Sequence, residues 1–258
     1  MFDLESATKV AERDFGAIID RLDGLSDDRW NAPVRCVGWV VSDLAAHVAG
    51  ASRGQAEGLR RAAAGITDLA VLDPPAEREP RALLAALKDG RDQLLAALHG
   101  LTPLALKGVV PLPFGLLPAP VALQVVALEY GFHRNDLEWA LGAEDPLGED
   151  MSTTLLAILP GLLPMLAAGS PVSPPGIVPG QPTSFRFLAP SARLMAAYTG
   201  KAWSFSLDAG DDPVSCEVRG DDSSIALFVM GRIGAGDPGI SVTDGPAAQA
   251  FKRYFPGP

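Results

Sequence analysis

A change of hydrophobic period partway along the chain constrains its fold more than any other feature. Up to Gly142 the apolar residues recur three and four positions apart, the spacing that lines one face of an α-helix. From Thr183 they alternate, as on a half-buried strand. Two periods call for two kinds of layer, so a helical domain followed by a smaller mixed one is predicted. Val10, Phe15, Ile18, Ile19 and Leu22 mark a first helix from Leu4 to about Gly24. Ser42-Asp43 reads as the N-cap of a second, from Leu44 to Ala64. Glu79-Pro80 opens a third with a leucine face ending at Gly100, and Pro120 opens a fourth that reaches Leu141. Together they describe a four-helix bundle over residues 1–150, and bundle interiors are common places for sites.

Residues 151–182 are expected to hold a short helix, Ser152 to Ala168, broken by Pro160 and Pro164, and then a Pro/Gly-rich linker, Gly169 to Pro182. Residues 183–258 read as a small α+β domain. Its strands run from Ser184 to Leu188, Trp203 to Leu207, Val214 to Val218 and Ile240 to Val242. One helix follows Asp221-Asp222 to Met230, and another begins at Asp244-Gly245-Pro246 and ends near Tyr254.

The 258 residues are 48% hydrophobic and 20% charged, the balance of a globular chain and not of a disordered one. A formal net charge of -10 repels phosphate backbones and anionic lipid, and the densest basic run is only Arg60-Arg61. Neither nucleic acid nor a membrane is an expected partner. The start, Met1-Phe2-Asp3-Leu4-Glu5, carries acid where a secretory signal carries base, so the cytoplasm is the expected location. The apolar stretch Leu101 to Leu128 is interrupted by five prolines and Lys107, which disfavours a membrane span. Cys36 and Cys216 are the only cysteines and lie far apart, which supports neither a disulfide framework nor a cysteine-built metal site. Cys36 reads as a small buried hydrophobe.

Only three histidines are present, so their placement is informative. His99 sits at the end of the third helix, where an imidazole faces water and suits the helix C-terminus. His133 follows Glu129 by four residues, so both leave the same helical face, within the apolar stripe Ala122, Val126, Glu129, His133, Leu137, Ala140. A carboxylate aimed into a core is costly unless paired or metal-bound. His47 lies in a similar stripe on the second helix, Leu44, His47, Val48, Ala51. Two imidazoles and a carboxylate from facing helices match the ligand set of catalytic zinc, which keeps a position open for water or substrate. The spacing alone fits equally a buried Glu–His pair beside an unrelated core histidine. Asp136, one turn beyond His133, is either a hydrogen-bond acceptor behind that ring or an exposed neighbour. Trp30, Pro33, Gly38 and Trp39 read as packing at the approach to the second helix, and Gly108 to Pro120 as a pocket wall or a packed crossover.

The run from Trp30 to Gly50 reads W-x-x-P-x-x-C-x-G-W-x-x-x-D-L-x-x-H-x-x-G, and Glu129 to Leu141 reads EYGFHRNDLEWAL. Both resemble the mycothiol-dependent maleylpyruvate isomerase family, one of the DinB/YfiT-like metal-binding four-helix bundles found mainly in actinobacteria. The resemblance implies that His47, Glu129 and His133 hold a divalent metal, zinc above all, and that mycothiol serves as thiol cofactor or co-substrate. It implies a second domain similar to sterol carrier proteins, with Arg232 as the candidate to hold an acidic substrate.

By that resemblance a metal-bound thiolate attacks an electrophile, either isomerising maleylpyruvate by addition, rotation and elimination or stopping at the adduct as an S-transferase. A dianionic substrate needs cationic groups beyond the metal. Arg134 points about 100° away from the ligand stripe by helical geometry, leaving Arg232, Arg186 or Arg193 of the second domain. Two alternatives remain. One is a hydrolase using zinc-bound hydroxide, and the other is a non-catalytic protein binding a metal or a small ligand. The expected partners are a small thiol and an electrophile, in a monomer or weak homo-oligomer.

Overall fold

The structure is a computed structural model that describes residues 1–71, 73–143, 147–169, 183–207 and 210–254, with the side chains of 165–169 and 253–254 excepted. It divides into two compact units, Met1–Val34 with Gly38–Asp145, and Arg35–Val37 with Pro146–Pro258.

The first unit is built from helices α1 (Leu4–Asp23), α2 (Val41–Ala63), α3 (Pro80–His99) and α4 (Ala119–Ala140). Each packs against two of the others: α1 on α3 and α4, α2 on α3 and α4, closing a bundle. The caps follow the side-chain chemistry. Asp3 accepts from the Ser6 amide at 2.9 Å to start α1, and Glu79 accepts from the Ala82 amide at 2.9 Å to start α3. The second helix begins earlier than Ser42-Asp43 suggested. Asp43 still satisfies a free amide, but from inside the first turn, accepting from Val40 N at 3.2 Å. In the core, Phe15 of α1 stacks on Tyr130 of α4 at 4.5 Å and 9°, and the Tyr130 hydroxyl donates to Gln55 of α2 at 2.7 Å.

The crossover before α4 contains a feature the sequence reading lacked, an antiparallel hairpin of β1 (Val109–Leu112) and β2 (Gly115–Pro118). It lies against α2 at Gly54 and Gly58. A Cβ on Gly58 would stand 2.7 Å from the Pro111 carbonyl oxygen, and one on Gly54 would stand 2.9 Å from Pro113 Cγ. Only glycine permits so close an approach. The Ala70 amide donates to Pro111 O at 3.1 Å, tying the segment before α3 to the same hairpin.

In the second unit α5 (Glu149–Gly169) runs through Pro160 and Pro164, which were expected to break it. It packs on strand β5 and helix α6 described below, which supply the burial that outweighs the lost hydrogen bonds. The expected linker lies, from residue 170 to 182, outside the described residues. A sheet follows, of β3 (Thr183–Leu188), β4 (Arg193–Tyr198), β5 (Trp203–Leu207), β6 (Cys216–Gly220) and β7 (Ile240–Val242), in the order β5-β4-β3-β6-β7. β3 and β6 are parallel and the other neighbours antiparallel. Helices α6 (Asp222–Val229) and α7 (Gly245–Tyr254) complete the unit. Its core is aromatic, with Phe251 at 4.9 Å from Phe187 and 5.2 Å from Phe185. Two corrections arise here. β4 was not foreseen, and β6 starts two residues later than Val214. Among the described residues no helix is long and apolar enough to cross a membrane.

Candidate metal centre

Helices α2 and α4 face each other in the bundle, and each carries polar side chains on an otherwise apolar inner stripe. His47 Nε2 lies 3.0 Å from Glu129 Oε1, and His133 Nε2 lies 3.4 Å from the same oxygen. The two imidazole rings meet edge to face with centroids 4.8 Å apart. One ligand atom from each residue therefore falls within 4.8 Å of the others.

Zinc bonds of about 2.0–2.1 Å in a tetrahedron place neighbouring ligand atoms about 3.4 Å apart. The two measured nitrogen-to-oxygen separations lie close to that edge length, so the donor set fits a small divalent cation in both chemistry and spacing.

The surroundings grade from dry to wet. The His133 side chain is 3% exposed and Asp136 behind it is fully buried, whereas His47 and Glu129 keep 23% and 21% exposure. His133 Nδ1 lies 3.1 Å from Asp136 Oδ2. Burial alone would push the Glu129 carboxyl up, but hydrogen bonds with His133 and His47 outweigh it and hold it well below the usual carboxylate range. Glu129 is thus an anion at neutral pH, as a metal ligand must be. It is engaged on both sides and so not available as a general base.

Trp39 walls one side of the cluster, its ring 5.0 Å from that of His47 and 6.4 Å from that of His133, nearly parallel to the latter at 18°. The local backbone puts it there. Pro33 pairs with Val40 across a turn, Val34 N donates to Trp39 O at 3.1 Å, and Gly38 adopts a positive φ of 80° immediately before the tryptophan. Sequence reasoning gave Trp39 a packing role only. The available signal was its position after a glycine, a few residues before the helix that carries His47.

His99 is exposed at the last position of α3. Arg134 turns toward α1, its Nη1 3.0 Å from Asp14. Arg232, Arg186 and Arg193 belong to the second unit. The buried Arg232 donates to Met230 O at 2.8 Å, the buried Arg186 to the carbonyls of Gly210 and Asp212, and Arg193 to Asp211 at 2.8 Å.

A helical unit with an inward His–Glu–His set, followed by a mixed-sheet unit, defines a class of two-part proteins whose bundle carries a buried polar cluster. Residues 13–138 match the sequence family described as mycothiol maleylpyruvate isomerase N-terminal domain, and the N-terminal unit belongs to that family. The fold is shared with crystal structures of the mycothiol-dependent maleylpyruvate isomerase and of a histidine-to-alanine variant of it. Each is 19% identical, with a TM-score of 0.66 over 95% of this chain and 94% of the other. No curated protein sequence matches the chain.

Proposed function

We propose that the chain is a zinc-dependent enzyme that uses a low-molecular-weight thiol, mycothiol, to act on an electrophilic substrate, either as a maleylpyruvate isomerase or as a thiol S-transferase. The observation that carries this reading is the convergence of His47, Glu129 and His133 within 4.8 Å, one flank of the cluster remaining accessible at His47 and Glu129. Membership of the N-terminal unit in the mycothiol maleylpyruvate isomerase family supports the choice of thiol.

His47, Glu129 and His133 would hold the cation, which when bound supplies a Lewis acid able to lower the pKa of a thiol at its open position. The chain's own contributions are positional. Glu129 stays ionised and cancels part of the cation's charge. Asp136 holds His133 from behind, and the Trp39 indole closes off one side, limiting water around the reacting groups. Arg232 is the proposed holder of an acidic substrate group, by resemblance to the family and not from its position in the site.

The test is turnover by chelator-stripped protein reloaded with zinc. Fumarylpyruvate formed from maleylpyruvate only with mycothiol present supports the isomerase, and an accumulating thiol conjugate supports the transferase. Ester or amide cleavage without thiol would replace the reading with that of a hydrolase. Tight zinc binding with no turnover on a panel of electrophiles would replace it with that of a binding protein.

A further inference from the structure

Resting on the metal reading above, we propose that Arg78 anchors a carboxylate of the electrophilic substrate, at the rim of the His47–Glu129 flank. On α2, Asp43, His47, Gly50 and Gly54 fall within about 60° of one another at 100° per residue, so they form one stripe. The connection between α2 and α3 follows that stripe toward the start of α2. A Cβ on Gly54 would stand 3.1 Å from Val71 O, and one on Gly50 would stand 2.6 Å from Pro74 Cα. Arg78 then reaches Asp43, its Nε 3.4 Å from Oδ1. The segment from Pro74 to Arg78 therefore crosses the turn that carries His47, one of the two ligand candidates left accessible.

The guanidinium has donor capacity left for a ligand. Its Nη1 serves the carbonyls of Pro75 and Glu77, its Nε faces Asp43, and Nη2 has no protein acceptor among the described residues. The Arg78 side chain is 42% exposed, so a small anion can reach it. Asp43 is fixed from the other side by Val40 N at 3.2 Å, next to Trp39, whose ring lies 5.0 Å from that of His47. Asp43 precedes His47 by four residues, about 6 Å along the helix axis. A short dicarboxylate spans that separation, with one end at the His47–Glu129 flank and the other paired with the planar guanidinium. Sequence reasoning sought this charge on α4 and in the second unit, whereas Arg78 supplies it within the helical unit.

Calorimetry on the full chain, loaded with zinc and titrated with maleate as the probe, tests this. Maleate is expected to bind the parent and to lose about 10-fold in affinity in Arg78→Met, the low end for a hydrogen bond to a charged group because the guanidinium is partly exposed. Arg78→Lys, a point charge without the planar fork, recovers only part of that loss. Asp43→Asn, which releases the guanidinium from its ion pair, binds maleate at least as tightly as the parent. A purely structural role for the Asp43–Arg78 contact would instead weaken both variants alike and overturn the proposal. Zinc affinity is not lowered in Arg78→Met, and a loss there would make the maleate effect secondary to the metal site and overturn it too. So would maleate that binds parent and Arg78→Met equally, or does not bind the parent. A parent that takes up no zinc refutes the metal reading, and the same maleate comparison on metal-free protein then decides the role of Arg78.

Discussion

Replacing Glu129 by glutamine keeps the side chain's size and an oxygen to accept from His47 while removing its charge. The effect on metal binding follows from electrostatics. Even with the full dielectric of water, a dication about 2 Å from a unit negative charge gains about 4 kcal/mol. That is about three orders of magnitude in dissociation constant. The carboxylate keeps only 21% exposure, so screening is weaker than in bulk water and the loss is at least this large.

Differential scanning calorimetry of chelator-stripped protein, with and without zinc, reads the consequence. At a zinc concentration about 100 times the parent's dissociation constant, linkage stabilises the parent by about 2.7 kcal/mol. For a unit of this size that raises the melting temperature of its transition by about 10 °C. The variant, near a tenth of its own constant, gains less than about 0.1 kcal/mol and does not shift. Equal shifts in parent and variant would remove Glu129 from the ligand set, and no shift in either would remove the site. The metal-free pair supplies a control with a defined sign. A carboxyl held below its ordinary range stabilises the fold when ionised, so metal-free Glu129→Gln melts below metal-free parent at neutral pH. The gap closes as pH falls through and below the ordinary carboxylate range.

The other predictions use different parts of the molecule. Gly58→Ala would press a Cβ to 2.7 Å from Pro111 O, and because that oxygen is backbone it cannot yield as a side chain can. A net loss of about 1–2 kcal/mol is expected after the helix-propensity gain of alanine, and an unchanged or raised urea midpoint would refute it. Trp39 lies within 6.4 Å of both ring centroids, so cobalt binding should quench tryptophan emission in the parent and much less in Trp39→Phe. Equal quenching in both would place the cation elsewhere. Burial, reinforced by the Arg232 charge, lowers Lys252 to about 7 from the ordinary lysine value of 10.5. The unfolded chain then binds more protons between those values, so stability rises with pH from about 7 upward, by at most ~1.4 kcal/mol per unit. Lys252→Met should flatten that slope in the second unit's transition, and an unaltered slope would show that Lys252 does not cause it.

How much of this was legible in the sequence depended on whether local and tertiary preferences agreed. α1 and α3 were read closely because hydrophobic period and closing glycine agreed, with Glu79-Pro80 also marking the start of α3. β4 was missed because Leu194-Met195-Ala196-Ala197 favours helix by propensity, and only its place between β3 and β5 makes it a strand. The β1–β2 hairpin was hidden by Pro111, Pro113 and Pro118, residues that argue against strands unless an edge tolerates them. α5 survived two prolines because its apolar side chains had somewhere to pack. His47, Glu129 and His133 were visible as polar residues on apolar stripes. Trp39 was not, because a tryptophan before a helix carries no sign in sequence of which rings it will face.

Charge balance within the helical unit explains why that cluster suits a dication. The buried Asp14 is met by Arg13, bidentate at 2.8 Å, and by Arg134 at 3.0 Å. Glu138 is met by Arg21 at 2.9 Å. The arginine closest in sequence to the cluster is thereby drawn to α1, while Glu129 lies against both imidazoles and Asp136 against that of His133. Carboxylates withdrawn from water draw positive charge to their side. A divalent cation among Glu129, His47 and His133 would bring two positive charges in one ion to the point where the carboxylate and both ring nitrogens converge.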